Sequence, residues 1–282
     1  MELFEQLDLS DLIRRALAED VGQGDITTAA TVPSGRSGKA RVTVKEPGGI
    51  VFCGGPLMEA VFALANVNPT RFAVVNEGER LAAGETVAEI EGSLAGLLIG
   101  ERTALNFAQL MSGIATLTRR YVDAIAGTRA RIIDTRKTHP GLRALEKYAV
   151  RVGGGTNHRF GLDSGVLIKE NHIAAAGSIS RALDGARALA PHTLRIEVEC
   201  ETLAQVEEAK QAGADVILLD NMSPDEMRKA RALAIGVVLE ASGGITLARV
   251  REVAEAGVDL ISVGALTHSP KAADLSMRIE TA

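Results

Sequence analysis

Residues 132–141 read IIDTRKTHPG: an apolar run closes on an acid, Asp134, and Arg136, Lys137 and His139 follow at once. In a chain of net charge −5, so local a cluster of cations implies an anionic ligand rather than a generally basic surface. Further along, polar residues again close apolar runs. Lys169 ends VLIK, Glu199 ends IEVE, Asp220 and Asn221 end ILLDN, Ser242, Gly243 and Gly244 follow VVLEA, and Gly264 follows ISV. Arg and Lys suit carboxylates and phosphates. Glu199 and Asp220 are hard oxygen donors suited to Mg2+, or else partners for Lys169 and Arg136, and both roles are compatible. The loops ASGGIT and SVGALTHS let backbone N–H groups approach a phosphate, the competing reading being tight turns. The GQG at 22–24 is given no phosphate. Among the histidines, His158 beside Arg159 is the functional candidate, His139 and His172 read as local structural donors, and His192 reads as a solvent-exposed loop residue.

The spacing says what must hold these residues. Glu199, Asp220, Ser242 and Gly264 stand 21, 22 and 22 positions apart, with amphipathic stretches such as TLAQVEEAKQAGA and LARVREVAEAGV between them. That is the rhythm of parallel βα units, whose right-handed crossovers close toward a barrel. In such barrels the C-terminal strand ends gather at one mouth and carry the chemistry. Taken singly, a strand-end Asp134 or Asn221 is as readily a cap for the next helix. Six strands are countable (ARIIDT, GVLIKE, RIEVEC, VILLDN, VVLEAS, LISVGA), with a seventh conceivable at GGGTNHR, so an open, incomplete barrel is expected.

Upstream the rhythm differs. KARVTVKE, RFAVVNEG and TVAEIEG alternate in the manner of strands, with a helix over 56–65, as in a small α+β unit. NEGERLAAGETVAEIEG has the turn pattern of a biotinyl- or lipoyl-like piece but no Lys at its tip, which leaves it a structural role. GERTALNFAQLMSGIATLTRRYVDAIA, 100–126, spaces its apolar residues as one long helix or two. The expected class is therefore α/β: an N-terminal α/β (α+β) domain with a bridging helix over 1–110, then an open parallel α/β barrel over 111–282, its C-terminal tail free to pack back on the N-terminal domain.

Composition narrows the partners. Aromatics make up 3% of the chain and Trp is absent, so a base-stacking platform has little to build with, and the acidic balance argues against nucleic acid or an anionic membrane. Cys53 and Cys200 match no paired metal spacing and read as buried thiols in a reduced compartment. The opening MELFEQLDLSDLIRRALAED has helical spacing without a basic and apolar leader pattern, and GGIVFCGGPLMEAVFALANV is too broken for a membrane span. A cytoplasmic location is expected.

EDVGQGDITT, GERTALNFAQLMSGIAT, DTRKTHPGLRALEKYAVRVGGGTNHRFGLDSGVLIKENHI, EVE, LLDN, EASGGI and ISVGALTHS, in that order, resemble the quinolinate phosphoribosyltransferases through nearly the whole chain. The resemblance implies a homodimer, Mg2+, and phosphoribosyl transfer from phosphoribosyl pyrophosphate to quinolinate with decarboxylation, as in NAD biosynthesis. It further implies a quinolinate pocket of Thr135, Arg136, His158, Arg159 and Lys169, with Arg102 given by the partner subunit. Lys137 would meet phosphoribosyl pyrophosphate, and Glu199 and Asp220 would serve metal and ribose; with Lys169 these form the implied catalytic set. Ser242, Gly243, Gly244, Gly264, Ala265 and His268 would hold phosphate. A related branch tied to molybdate-transport operons, and transferases for another aromatic acid, share much of the pattern. A non-catalytic barrel binding a phosphorylated metabolite would not need the acids together with the cations.

Overall fold

The computed structural model describes residues 9–67 and 69–280. The first eight residues of the expected N-terminal helix lie outside them; the remainder forms α1 (Ser10–Val21), which buries Ile13 and Leu17. α2 (Ile26–Thr31) follows, its N-terminus capped by the Asp25 carboxylate, which accepts from Thr28 N–H at 2.9 Å. Next come β1 (Ser37–Val44), β2 (Ile50–Val51), α3 (Gly55–Leu64), β3 (Arg71–Val74), β4 (Arg80–Leu81) and β5 (Thr86–Ser93). Every second residue of β1 is buried, the period-2 pattern of a sheet with one covered face.

The chain divides into two compact units, 1–117 with 270–282, and 118–269. In the first, the final strand β12 (Leu275–Glu280) pairs antiparallel with β1, giving the order β12-β1-β5-β3. Its core gathers Phe52, Leu57, Met58, Phe62, Ile90 and Leu97.

One helix, α4 (Leu94–Ala124), runs from the first unit into the second. It starts six residues before the expected 100, with Gly96 inside its first turn and Gly100 in its second. Both are close-approach positions: a Cβ on Gly100 would lie 2.9 Å from the Phe62 ring, and one on Gly96 2.9 Å from the Val67 backbone.

The second unit is the expected open barrel. Its elements are β6 (Arg131–Ile133), α5 (Arg143–Val152), β7 (Val166–Ile168), α6 (Glu170–Ala176), α7 (Ile179–Leu189), β8 (Ile196–Cys200), α8 (Leu203–Gln211), β9 (Val216–Asp220), α9 (Pro224–Leu233), β10 (Val238–Ser242), α10 (Val250–Glu255), β11 (Leu260–Ser262) and α11 (Ala265–His268). Six parallel strands run in the order β6-β11-β10-β9-β8-β7. The GGGTNHR stretch makes no seventh strand; a single parallel bridge joins Thr156 to Ile133. The even spacing has local causes. Thr202 with Gln205, and Ser223 with Glu226, form reciprocal capping boxes that start α8 and α9 at fixed distances beyond their strands. Val206 and Ala209, then Met227 and Ala230, are the faces these helices bury. Cys53 and Cys200 are free and buried, and burial pushes the Cys200 thiol up to about 12, as befits packing rather than reactivity. Among the described residues no helix is long and apolar enough to cross a membrane.

Candidate functional site

The C-terminal strand ends of the second unit open into a cavity of about 540 Å³. Thr135, Arg136, Lys137, His158, Arg159, Lys169, Glu199, Asp220, Ser242, Gly243 and Gly244 all line it, as does Asn221. Residues from five strand ends and one irregular segment are thereby brought together.

β6 delivers the first group. Its last residue, Ile133, is followed by Asp134, which is fully buried and does not line the cavity. Its carboxylate accepts from Lys147 Nζ at 2.5 Å, Asn157 Nδ2 at 2.6 Å and His158 N–H at 2.8 Å. Lys147 Nζ also donates to the His158 carbonyl at 3.1 Å. Asp134 is thus the counter-ion that ties α5 and the 153–165 segment to the end of β6. Burial holds the Lys147 ammonium below its usual value, and Asp134 opposes that shift. Beyond it, Lys137 N–H donates to Thr135 Oγ1 at 3.0 Å, and the Lys137 carbonyl accepts from Thr267 Oγ1 at 2.7 Å, so the lysine backbone is clamped at the cavity edge.

The cations of this mouth are differently served. Arg159 spends one guanidinium nitrogen on the Gly165 carbonyl, 2.9 Å away. Its Nε, and that of Arg136, are buried with no acceptor among the described residues. Burial, and after it the neighbouring Arg136 charge, hold Arg159 below its usual value. A buried N–H without an acceptor costs about 1–3 kcal/mol, more when charged, so this pair is set for an anion. Lys169 is ion-paired with Glu199, one of the two acid–cation pairings the sequence allows. Asp220 accepts from Asn221 Nδ2 at 2.8 Å.

On β8 and β9, Glu199 and Asp220 face the same cavity from neighbouring strands. Two carboxylates, all hard oxygen, fit Mg2+ and would not favour a thiolate-seeking ion. Gly243, at φ +90°, is a position where only glycine fits: a Cβ there would lie 2.2 Å from Asn221 Oδ1. Gly264 and Ala265 stand at the start of α11 and His268 at its end, and none of the three lines the cavity, although a Cβ on Gly264 would come within 3.3 Å of Lys137 Cδ. Arg102 belongs to the first unit, exposed on α4.

Two of the histidines, His139 and His192, fall as expected, while His172 serves locally as an acceptor rather than a donor. His139 Nδ1 lies 2.5 Å from buried Glu146, His172 Nδ1 accepts from Lys169 N–H at 3.0 Å, and His192 is exposed. His158 lines the cavity, yet both ring nitrogens are engaged. Nδ1 accepts from Arg159 N–H at 2.6 Å, so the ring proton sits on Nε2, 3.2 Å from Glu197 Oε2.

Two residues of this site were not singled out by sequence: Glu197 and Glu240, both buried, whose ligand atoms lie with that of His158 within 4.8 Å of one another. The signal was available. Alternation along a strand puts Glu197 on the same face as Glu199, and Glu240 on the same face as Ser242, so both point inward.

Comparison with known proteins agrees with this geometry. Residues 25–112 match the family model "Quinolinate phosphoribosyl transferase, N-terminal domain" and residues 114–278 its C-terminal domain. The chain is 46% identical to "Probable nicotinate-nucleotide pyrophosphorylase [carboxylating]" of Bacillus subtilis, over 97% of this chain and 94% of that one. It is 40% identical to "Quinolinate phosphoribosyltransferase [decarboxylating] 1b" of Nicotiana tabacum, over 97% of this chain and 83% of that one. Among solved structures, NadC from Streptococcus pyogenes superposes with a TM-score of 0.92 at 43% identity, covering 96% of this chain and 95% of that one. With both domain models matched in order across most of its length, the chain belongs to the quinolinate phosphoribosyltransferase family.

Proposed function

We propose that this protein transfers the phosphoribosyl group of phosphoribosyl pyrophosphate to quinolinate and decarboxylates the adduct, giving nicotinate mononucleotide, pyrophosphate and CO2 for NAD biosynthesis. The observation that carries the reading is the pair of buried guanidinium Nε–H groups, on Arg136 and Arg159, left without acceptors in a cation-lined cavity. Quinolinate has two adjacent carboxylates, and Arg presents a planar fork that binds such groups two atoms at a time. Lys169 would leave Glu199 to join them. Lys137, exposed at the rim, would meet the pyrophosphate, and the backbone of Ser242 to Gly244 would receive the ribose phosphate.

The ring nitrogen attacks the anomeric carbon as pyrophosphate departs, and fixed cations facing the leaving group are the main catalytic resource. Glu199 and Asp220 would hold Mg2+, which when bound draws charge from the departing pyrophosphate. N-ribosylation makes the ring nitrogen cationic, which stabilises the electron pair left on C2 when the adjacent carboxylate is lost as CO2. No covalent nucleophile enters. In this reading the protein works in the cytoplasm as a homodimer, with exposed Arg102 reaching the partner's site.

The test is stoichiometric. With Mg2+ and phosphoribosyl pyrophosphate, quinolinate should yield CO2 and pyrophosphate in equal amounts, and nicotinate, with one carboxylate for the same cations, should turn over far more slowly. Metal removal should stop both. Comparable pyrophosphate release from nicotinate without CO2 would overturn the substrate assignment.

A further inference from the structure

The floor of the cavity holds an acid that the mechanism above leaves idle. Glu240 sits in mid-β10, 2% exposed, and lines the cavity. Its Oε2 is 3.8 Å from His158 Nε2, and its Oε1 is buried with no partner among the described residues. Three ionisable groups face it: Glu197 from β8, His158 from the 153–165 segment and Lys169 from the end of β7. An ionised Glu240 would stand beside a second buried carboxylate and repel a dianionic substrate. Burial, and next the Glu197 charge, push Glu240 well above the usual carboxylate range. Its place on the cavity wall, its buried Oε1 without a partner among the described residues and the second carboxylate beside it all favour the protonated form, which presents an O–H to the cavity.

The chemistry has a proton still to place. Exchanging the C2 carboxylate for hydrogen consumes one proton per turnover. Arg136 and Arg159 do not release theirs. His158 directs its ring proton at Glu197 and offers only an acceptor on its other side, and Lys169, once it has left Glu199, is engaged as a cation by the quinolinate carboxylates. We propose that Glu240 is the catalytic acid that protonates C2 of the pyridine ring as CO2 leaves, an inference that rests on the quinolinate reading. The C2–carboxylate bond breaks, its electron pair stays on C2 beside the cationic ring nitrogen, and CO2 departs neutral. That pair takes the proton from the Glu240 Oε–H. The carboxylate left behind regains a proton from water once product has gone.

A single turnover followed separately for pyrophosphate, CO2 and nicotinate mononucleotide tests this in the full-length protein with Mg2+. Glu240→Gln should form pyrophosphate at a rate comparable to wild type. CO2 and nicotinate mononucleotide should appear more slowly by a factor on the order of 10² or more, while the still-carboxylated nucleotide accumulates. Glu240→Asp, which keeps an acid one methylene short, should recover part of the loss. In wild type, CO2 release should slow in D2O and fall at alkaline pH as Glu240 ionises, and pyrophosphate release should do neither. Equal loss of both products in Glu240→Gln, or CO2 release at the wild-type rate, overturns the proposal. Should Glu240→Gln fail to fold, the wild-type comparison decides, and CO2 release indifferent to D2O and alkaline pH overturns it. A wild-type protein inert toward quinolinate would remove the functional reading itself.

Discussion

Two buried charge clusters flank the end of β6, and they are built to opposite specifications. Around Asp134 every charge is answered: Lys147, Asn157 and the His158 N–H converge on one carboxylate that does not line the cavity. A few residues away, Arg136 and Arg159 are partly buried, and the Nε–H of each finds no acceptor among the described residues. The first cluster holds the architecture and is complete without ligand. The second carries donors on cationic groups that an anionic ligand would answer. Satisfaction of buried polar atoms, rather than charge or burial alone, separates scaffold from site.

The contrast can be broken by removing a cation from each side. Lys147→Met should be the most damaging, because it strands the fully buried Asp134; a loss of about 3–5 kcal/mol is expected in denaturant unfolding. Arg136→Ala or Arg159→Ala should do the reverse to the apo protein, leaving its stability unchanged or raised, since an unanswered buried donor is deleted. The same change should weaken quinolinate binding by about 1.5–3 kcal/mol, roughly ten- to a hundredfold by calorimetry, with less effect on phosphoribosyl pyrophosphate. If Arg136→Ala destabilised the fold as much as Lys147→Met, the distinction would fail.

A smaller effect sharpens it. Glu146 is a buried acid whose side-chain partner, His139, is itself titratable, and burial, outweighing the His139 hydrogen bonds, raises its carboxyl above the usual range. With the folded value above the unfolded one, its stabilisation is present below the unfolded value, about 4.3, and lost as pH rises through the folded one. Wild type should therefore lose stability relative to Glu146→Gln across that window in thermal melts. A flat difference would place Glu146 with Asp134 among the fully compensated acids.

How legible was this in the sequence? The strand count, the open barrel and the convergence of strand-end residues on one mouth were all readable, because capping boxes and alternating burial are local signals. The early start of α4 was not, since a glycine such as Gly96 weakens a helix locally and serves packing only through Val67, some 30 positions back. Nor were the roles of Asp134 and His158. Both stand where a site residue should, and only the partners brought by α5 and the 153–165 segment turn one into a counter-ion and occupy both nitrogens of the other. Glu197 and Glu240 stand within their strands, two positions before the strand-end residues, where an acid carries no local sign of facing a cavity rather than the core.

The sheet stops at β6 on one side and β7 on the other, with a single bridge at Thr156 where further strands would complete a closed barrel. That interruption has a consequence for how such a molecule can change. Beyond Asn157 and His158, which Asp134 holds, Arg159 is carried on chain whose backbone is not committed to a ladder, so residues 159–165 can change without shifting any strand out of register. The mouth can be re-tailored at this seam, and chimeras exchanging residues 159–165 are the natural place to look for altered substrate choice on an unaltered frame.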